Sequence, residues 1–171
     1  QWKCYANTSL LSKGLGGRTL PEGNTLHRLA LDLTEAFGGR VVSVTSPQGR
    51  FAESAALLDE TRMIEATSHG KHLFCEFDGD RFLHVHLGLI GSFELGPPDP
   101  PRGEVRARIA TEQAAADLRG PQLCMLRTRS EIASQVAALG PDPLRSDADA
   151  DLAWRRIHRA TRPIAAPLMD Q

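Results

Sequence analysis

Residues 72–87 constrain this chain more than any other stretch. His72-Leu73-Phe74-Cys75-Glu76-Phe77 and Arg81-Phe82-Leu83-His84-Val85-His86-Leu87 are two runs rich in apolar residues, and Asp78-Gly79-Asp80 separates them. Such runs broken by Asp-Gly read as two antiparallel strands joined by a tight turn. The neighbouring segments extend a mainly β body. Val41–Val44 reads as a short strand closed by the turn Ser46-Pro47-Gln48-Gly49, and Glu60–Ser68 as another. Phe93–Leu95 and Val105–Ile109 continue the series, with a proline-rich loop at 96–103 between them.

Helices flank this body. Leu26, Leu29, Ala30, Leu33 and Phe37 recur at helical spacing from Thr25 onward, and Gly38-Gly39 ends the run. Arg129–Leu139 reads as a second helix. Gly140-Pro141-Asp142-Pro143 then breaks the chain and marks a domain boundary. Beyond it Asp151–Ala160 reads as helix, with Arg155, Arg159 and Arg162 on one face, and Pro163 opens a last short helix. The expected fold is α+β: a β-sandwich flanked by helices over 21–140, then a partial helical module over 141–171. Residues 1–20, rich in Ser, Gly and Leu without a sustained period, read as a leader foreign to the fold.

Composition excludes several classes. At 171 residues and 41% hydrophobic, the chain has room for one core, or one domain and part of a second. No apolar run approaches the roughly 18 residues of a membrane helix. Cys4, Cys75 and Cys124 are odd in number and far apart, which argues against a disulfide framework or a zinc site and for a reducing cytoplasm. All 21 acidic residues lie after residue 20, against 17 of the 20 basic ones, so residues 21–171 carry −4. Composition alone therefore does not point to nucleic acid.

Among the basic residues, one stands apart. Lys71 is the sole lysine after Lys13, in a stretch where arginine supplies every other positive side chain. Coding bias with one survivor would explain that. So would a need for a compact amine that guanidinium cannot replace.

Four blocks carry a family resemblance: Pro21-Glu22-Gly23 opening a helix, Gly70-Lys71-His72-Leu73 at a strand start, His86-Leu87-Gly88-Leu89, and Leu139-Gly140-Pro141-Asp142-Pro143-Leu144. In this order and spacing, the chain from Pro21 to Gln171 resembles the amino-terminal domain of the formamidopyrimidine-DNA glycosylase / endonuclease VIII (Fpg/Nei) family. Leu139–Leu144 resembles the link into that family's helix–two-turns–helix module, and Pro163-Ile164 to Met169-Asp170-Gln171 resembles its early part. Thr25-Leu26-His27-Arg28 and Leu89 lean toward the endonuclease VIII side.

The resemblance implies a DNA glycosylase and AP lyase that excises oxidised bases, pyrimidines by preference, as a cytoplasmic monomer acting on damaged DNA. It makes Pro21, Glu22 and Lys71 the catalytic residues. A terminal proline is a secondary amine that can attack the sugar C1′ and form a Schiff base, Glu22 moves a proton as the ring opens, and Lys71 binds phosphate or assists. Leu89 becomes a wedge that fills the gap left by an extruded base. His86, Arg155, Arg159 and Arg162 become contacts to DNA.

Taken without the resemblance, these residues have plainer readings. Proline suits the first turn of any helix, Leu89 and Ile90 could begin a buried strand, and an arginine row is usually a solvated face. His84 and His86 share one face of a strand, where two histidines without a third ligand usually pack or hydrogen-bond.

The pattern also departs from the family. Pro21 is numbered as an internal residue, and a mid-chain proline nitrogen is an amide. Leu20 stands where the family starts with methionine, so initiation at a leucine codon would free Pro21. Otherwise the alternative is a DNA-binding relative with a blocked proline and no catalysis. The family's zinc finger is not in this chain, so the resemblance puts zinc beyond Gln171 and no metal or cofactor within it. The chain reads as a fragment, and its acidic balance predicts weak DNA binding by itself.

Overall fold

The computed structural model describes residues 22–161 and residue 163. Helix α1 (Gly23–Phe37) buries Leu26, Ala30, Leu33 and Phe37, one face of a 3.6-residue repeat. Each of the larger three contributes about 1.5–3 kcal/mol by leaving water. Its outer face is polar and holds the Arg28–Asp32 pair one turn apart, at 3.2 Å. The helix stops at Gly38, whose N–H reaches the Thr34 carbonyl, and Gly39 turns the chain with φ +73°. Thr34 fastens the helix to the sheet: its hydroxyl donates to the Ala30 carbonyl at 2.9 Å and accepts from the Ala66 N–H at 2.8 Å.

Eight strands follow, all antiparallel to their neighbours: β1 (Arg40–Thr45), β2 (Thr61–His69), β3 (His72–Phe77), β4 (Arg81–His86), β5 (Ser92–Gly96), β6 (Ala107–Ala110), β7 (Ala115–Arg119) and β8 (Leu123–Arg127). Their spatial order is β5-β7-β6-β1-β2-β3-β4-β8. Strand β1 belongs to both halves: Arg40–Val42 pair with β2, and Ser43–Thr45 pair with β6. One core unites the halves. It includes Leu73, Cys75, Phe77, Leu83 and Val85 from one side, Phe93, Ile109, Ala116 and Leu118 from the other, and the apolar stripe of α1. The expected α+β class with its β body and flanking helices is what is found.

The hairpin of β3 and β4 forms with the expected register, Phe77 opposite Arg81, and both Gly79 and Asp80 have positive φ. Three elements go beyond the sequence pattern. Helix α2 (Ala52–Leu58) is a seven-residue segment that buries only Ala55 and Leu58, too short to show a period. Strand β7 carries two alanines and the charged Asp117 and Arg119, a poor strand composition. It holds by pairing on both sides, with β5 and β6, and by burying Ala116 and Leu118; its Asp117 lies directly opposite Arg108 of β6, and the two side chains pair at 2.9 Å while nearly buried. Strand β8 lacks a clear alternation and takes its place by pairing, as the edge beside β4. Strand β6 also begins at Ala107 rather than Val105, because Val105 leaves the ladder to receive the Gln48 N–H.

Two helices close the described chain. Thr128 and Glu131 form a capping box at the start of α3 (Arg129–Ala138). Asp149 caps α4 (Ala150–Arg159) through the Leu152 N–H at 2.7 Å. Neither helix has a buried residue. The helix expected after Pro163 lies outside the described residues, as does the leader at 1–20.

Candidate active site

The N-terminus of α1 and the β2–β3 turn meet at one edge of the body. Glu22 precedes the first helical residue in extended conformation, and its side chain makes no capping bond. Its carboxylate is therefore available, and Lys71 Nζ approaches it to 3.8 Å. Lys71 does not start strand β3 as expected. It is the second residue of a two-residue turn between His69 and His72, which face each other in the ladder. Gly70, the first turn residue, has φ +55° and Lys71 does not, the arrangement that a II′-type hairpin turn requires. Gly23 faces this turn: a Cβ added there would lie 3.5 Å from the Gly70 carbonyl. Both Glu22 and Lys71 remain partly open to solvent, 53% and 32% exposed, so the pair adds little to stability and leaves the amine reachable.

Three histidines continue from Lys71 across one face of β3 and β4. His72 lies opposite His86, and His84, opposite Phe74, is its diagonal neighbour. His72 Nδ1 and His84 Nε2 are 2.9 Å apart, so one ring donates and the other accepts. Phe74 packs on both rings. Burial, and then the neighbouring positive groups, lower both of these histidines to about 4. His86 is lowered as well, first by burial and then by Lys71. Its Nδ1 accepts the Gly88 N–H at 3.1 Å, which leaves Nε2–H as the ring's donor.

This histidine pair makes stability depend on pH. Below 6.5 the unfolded chain takes up protons that the folded pair refuses, so stability falls from pH 6.5 to about 4 and is unaffected by this pair at lower pH. The expected loss is up to about 3 kcal/mol for each ring, less what solvent screening removes. Urea midpoints measured at pH 7 and pH 4.5 check it: His84→Phe should flatten the difference, and equal slopes for variant and parent would contradict it.

The loop after β4 presents Leu89 and Ile90 at 77% and 80% exposure. They do not enter a buried strand. Gly88 has φ +70°, and a Cβ on Gly91 would lie 2.3 Å from the Leu87 carbonyl, so the tight loop depends on glycine at these two places. Arg155 and Arg159 lie one turn apart on α4; Arg155 approaches Asp149 at 3.9 Å, and Arg156 donates to the Leu139 carbonyl. Pro21 and Arg162 lie outside the described residues. Among the described residues no group of three or more His, Cys, Asp or Glu side chains is arranged to hold a metal ion. Cys75 and Cys124 are free, and burial pushes both thiols up to about 12, out of nucleophilic range.

Sequence reasoning passes over His72 and Asp142. His72 can be found from its place beside Lys71 in the alternation. Asp142 cannot, because its partner is 72 residues away.

Among the described residues no helix is long and apolar enough to cross a membrane. Comparison with known proteins bears on what this edge is for. Endonuclease 8 1 of Mycobacterium tuberculosis is 49% identical over 158 residues, covering 89% of this chain and 59% of that protein. Formamidopyrimidine-DNA glycosylase of Nocardioides is 32% identical over 126 residues, 68% of this chain and 43% of that protein. The chain thus spans little more than half of the first and less than half of the second. Two solved structures share the fold at 19% identity, each covering 88% of this chain. One is MutM in complex with carbocyclic 8-oxo-G containing DNA, with a TM-score of 0.71 over 62% of that chain. The other is wild-type Lactococcus lactis Fpg with N7-benzyl-Fapy-dG containing DNA, with a TM-score of 0.72 over 61%. The model of the formamidopyrimidine-DNA glycosylase N-terminal domain matches residues 20–129, a span that runs from the residue before Pro21 through α1, the Lys71 turn and all eight strands. With half its positions shared with an endonuclease 8 over nearly the whole chain, this chain belongs to the Fpg/Nei family.

Proposed function

We propose that the complete protein is a DNA-repair glycosylase with AP-lyase activity toward oxidised bases, pyrimidines by preference. The observation that carries the reading is the meeting of Glu22 and Lys71 at the start of α1, one residue after Pro21. In the proposed reaction the free amine of Pro21 attacks C1′ as the bond to the damaged base breaks; the base leaves with the bonding pair and takes up the proton that the proline nitrogen gives up. Ring opening then needs a proton on the sugar oxygen, which Glu22 supplies, and the nitrogen lone pair completes the iminium. Lys71 opposite Glu22 keeps a positive charge beside the DNA backbone and holds the carboxylate in place. Leu89 enters the duplex where the base has left, and His86 donates to a phosphate through Nε2–H. Arg155, Arg159 and Arg162 add phosphate contacts, and the partial helical module over 141–171 carries them. The relatives' names, endonuclease 8 and formamidopyrimidine-DNA glycosylase, support this class of activity.

A second reading has one observation in its favour: twenty residues precede Pro21 in the sequence, and a peptide-bonded proline has no nucleophilic nitrogen. On that reading the protein binds damaged DNA without cutting it. Borohydride reduction in the presence of abasic-site DNA separates the two. A covalent protein–DNA product is expected; DNA binding without any such product would favour the second reading.

A further inference from the structure

We propose that Asp142 is a positioning residue for Lys71, holding the β2–β3 turn from the segment that follows α3. The proposal rests on the reading of Lys71 given above for its kinetic arm only. Asp142 is 7% exposed, one of the few buried charged side chains among the described residues. Its Oδ2 accepts the Gly70 N–H at 2.8 Å, and its Oδ1 accepts the Leu144 N–H at 2.9 Å. A buried carboxylate is held by such N–H bonds, and losing them leaves the donors without partners.

The bond falls on a sensitive place. Gly70 is the residue with φ +55°, and its conformation sets the direction in which the next residue, Lys71, leaves the turn. The Gly70 carbonyl also faces the start of α1: a Cβ added at Gly23, immediately after Glu22, would lie 3.5 Å from it. Two further bonds join the same segments: His69 Nε2–H donates to the Gly140 carbonyl at 2.7 Å, and Arg145 reaches the Ser68 carbonyl at 3.4 Å. These two can hold the segments together without Asp142. Only the Asp142 bond reaches the turn peptide itself. Removing its carboxylate should therefore free the Gly70–Lys71 peptide more than it loosens the domain.

The test uses the complete protein, with its lysines reductively methylated with carbon-13 and the Lys71 signal assigned by its loss in Lys71→Arg. In the parent, that signal should differ from that of a free methylated lysine and shift in Glu22→Gln. In Asp142→Ala it should move to the free-lysine position and stop responding to Glu22→Gln. Asp142→Asn has one acceptor oxygen for two N–H donors, so its Lys71 signal should broaden or split; this variant serves if the alanine protein does not fold. Leu58→Ala, a core change on α2, controls for general loss of stability and should leave the signal in place. A Lys71 signal unchanged in both Asp142 variants would overturn the proposal. So would an equal change in Leu58→Ala.

The kinetic arm measures single-turnover excision on one lesion-bearing duplex. Asp142→Ala should lower the rate about 100-fold, the scale of a misplaced catalytic group, with DNA affinity little changed. A shifted Lys71 signal with an unchanged rate would keep the positioning role and overturn the reading of Lys71 as part of the chemistry.

Discussion

Covalent trapping should occur only when Pro21 is the first residue of the protein. A free amino-terminal proline is a secondary amine with a pKa of roughly 8, against about 10.4 for a lysine, so a useful fraction is unprotonated near neutrality. In mid-chain the same nitrogen lends its lone pair to the peptide bond and cannot attack a carbon. Protein beginning at Pro21 should therefore give a borohydride-stable product with abasic DNA. Protein retaining residues 1–20 should give less by on the order of 10³-fold or more, the scale of removing a covalent nucleophile. Gel mobility reads the product, and intact mass confirms the start of each preparation. Equal trapping by both forms would remove Pro21 from the mechanism and leave Lys71 as the amine to examine.

Lys71→Ala should cost about 100-fold in base excision, within the range that a positioned proton-transfer or charge-stabilising group supplies. Folding should be almost untouched. The Glu22–Lys71 contact is long, at 3.8 Å, and open to solvent, and such pairs are worth at most about 1 kcal/mol. Lys71→Arg should recover only part of the rate, since guanidinium keeps the charge but has neither the compact geometry nor a proton it gives up near neutral pH. The substitution carries its own internal check. Lys71 is one of the groups that hold His86 low, so the His86 ring should titrate at higher pH in Lys71→Ala and stay near the parent value in Lys71→Arg. Excision at the parent rate by Lys71→Ala would show that the lysine lies beside the chemistry without taking part in it.

The two expected results depend on different kinds of information. The singular position of Lys71 among arginines is legible in the amino-acid sequence, and so is the run Pro21-Glu22-Gly23. Their meaning comes from geometry for one pair only: the turn brings Lys71 to Glu22, across 49 positions of sequence. The exposure of Leu89 and Ile90 decides between two readings that periodicity cannot separate, because a short apolar pair looks the same at a loop tip and at a strand start. The histidine face is half legible. Alternation places His84 and His86 on one side of a strand, but the partner that completes the hydrogen bond, His72, lies on another strand.

What the sequence determined by itself was local. The α1 stripe, its stop at Gly38-Gly39, the hairpin at 72–86 and the helix from Arg129 are each written within about a dozen residues, because helix period, strand alternation and turn chemistry act over that range. Tertiary structure alone decided the rest. Strand β7 exists because β5 and β6 both pair with it and the core takes up its Ala116 and Leu118, and the pairing sets its Asp117 against Arg108. Strand β1 divides its hydrogen bonds between two partners that lie on opposite sides of it in the sheet. Asp142 finds the Gly70 N–H only after the intervening body has folded. Backbone donors and acceptors must be satisfied wherever they are buried, and which distant group satisfies them is settled by packing, which no local pattern encodes.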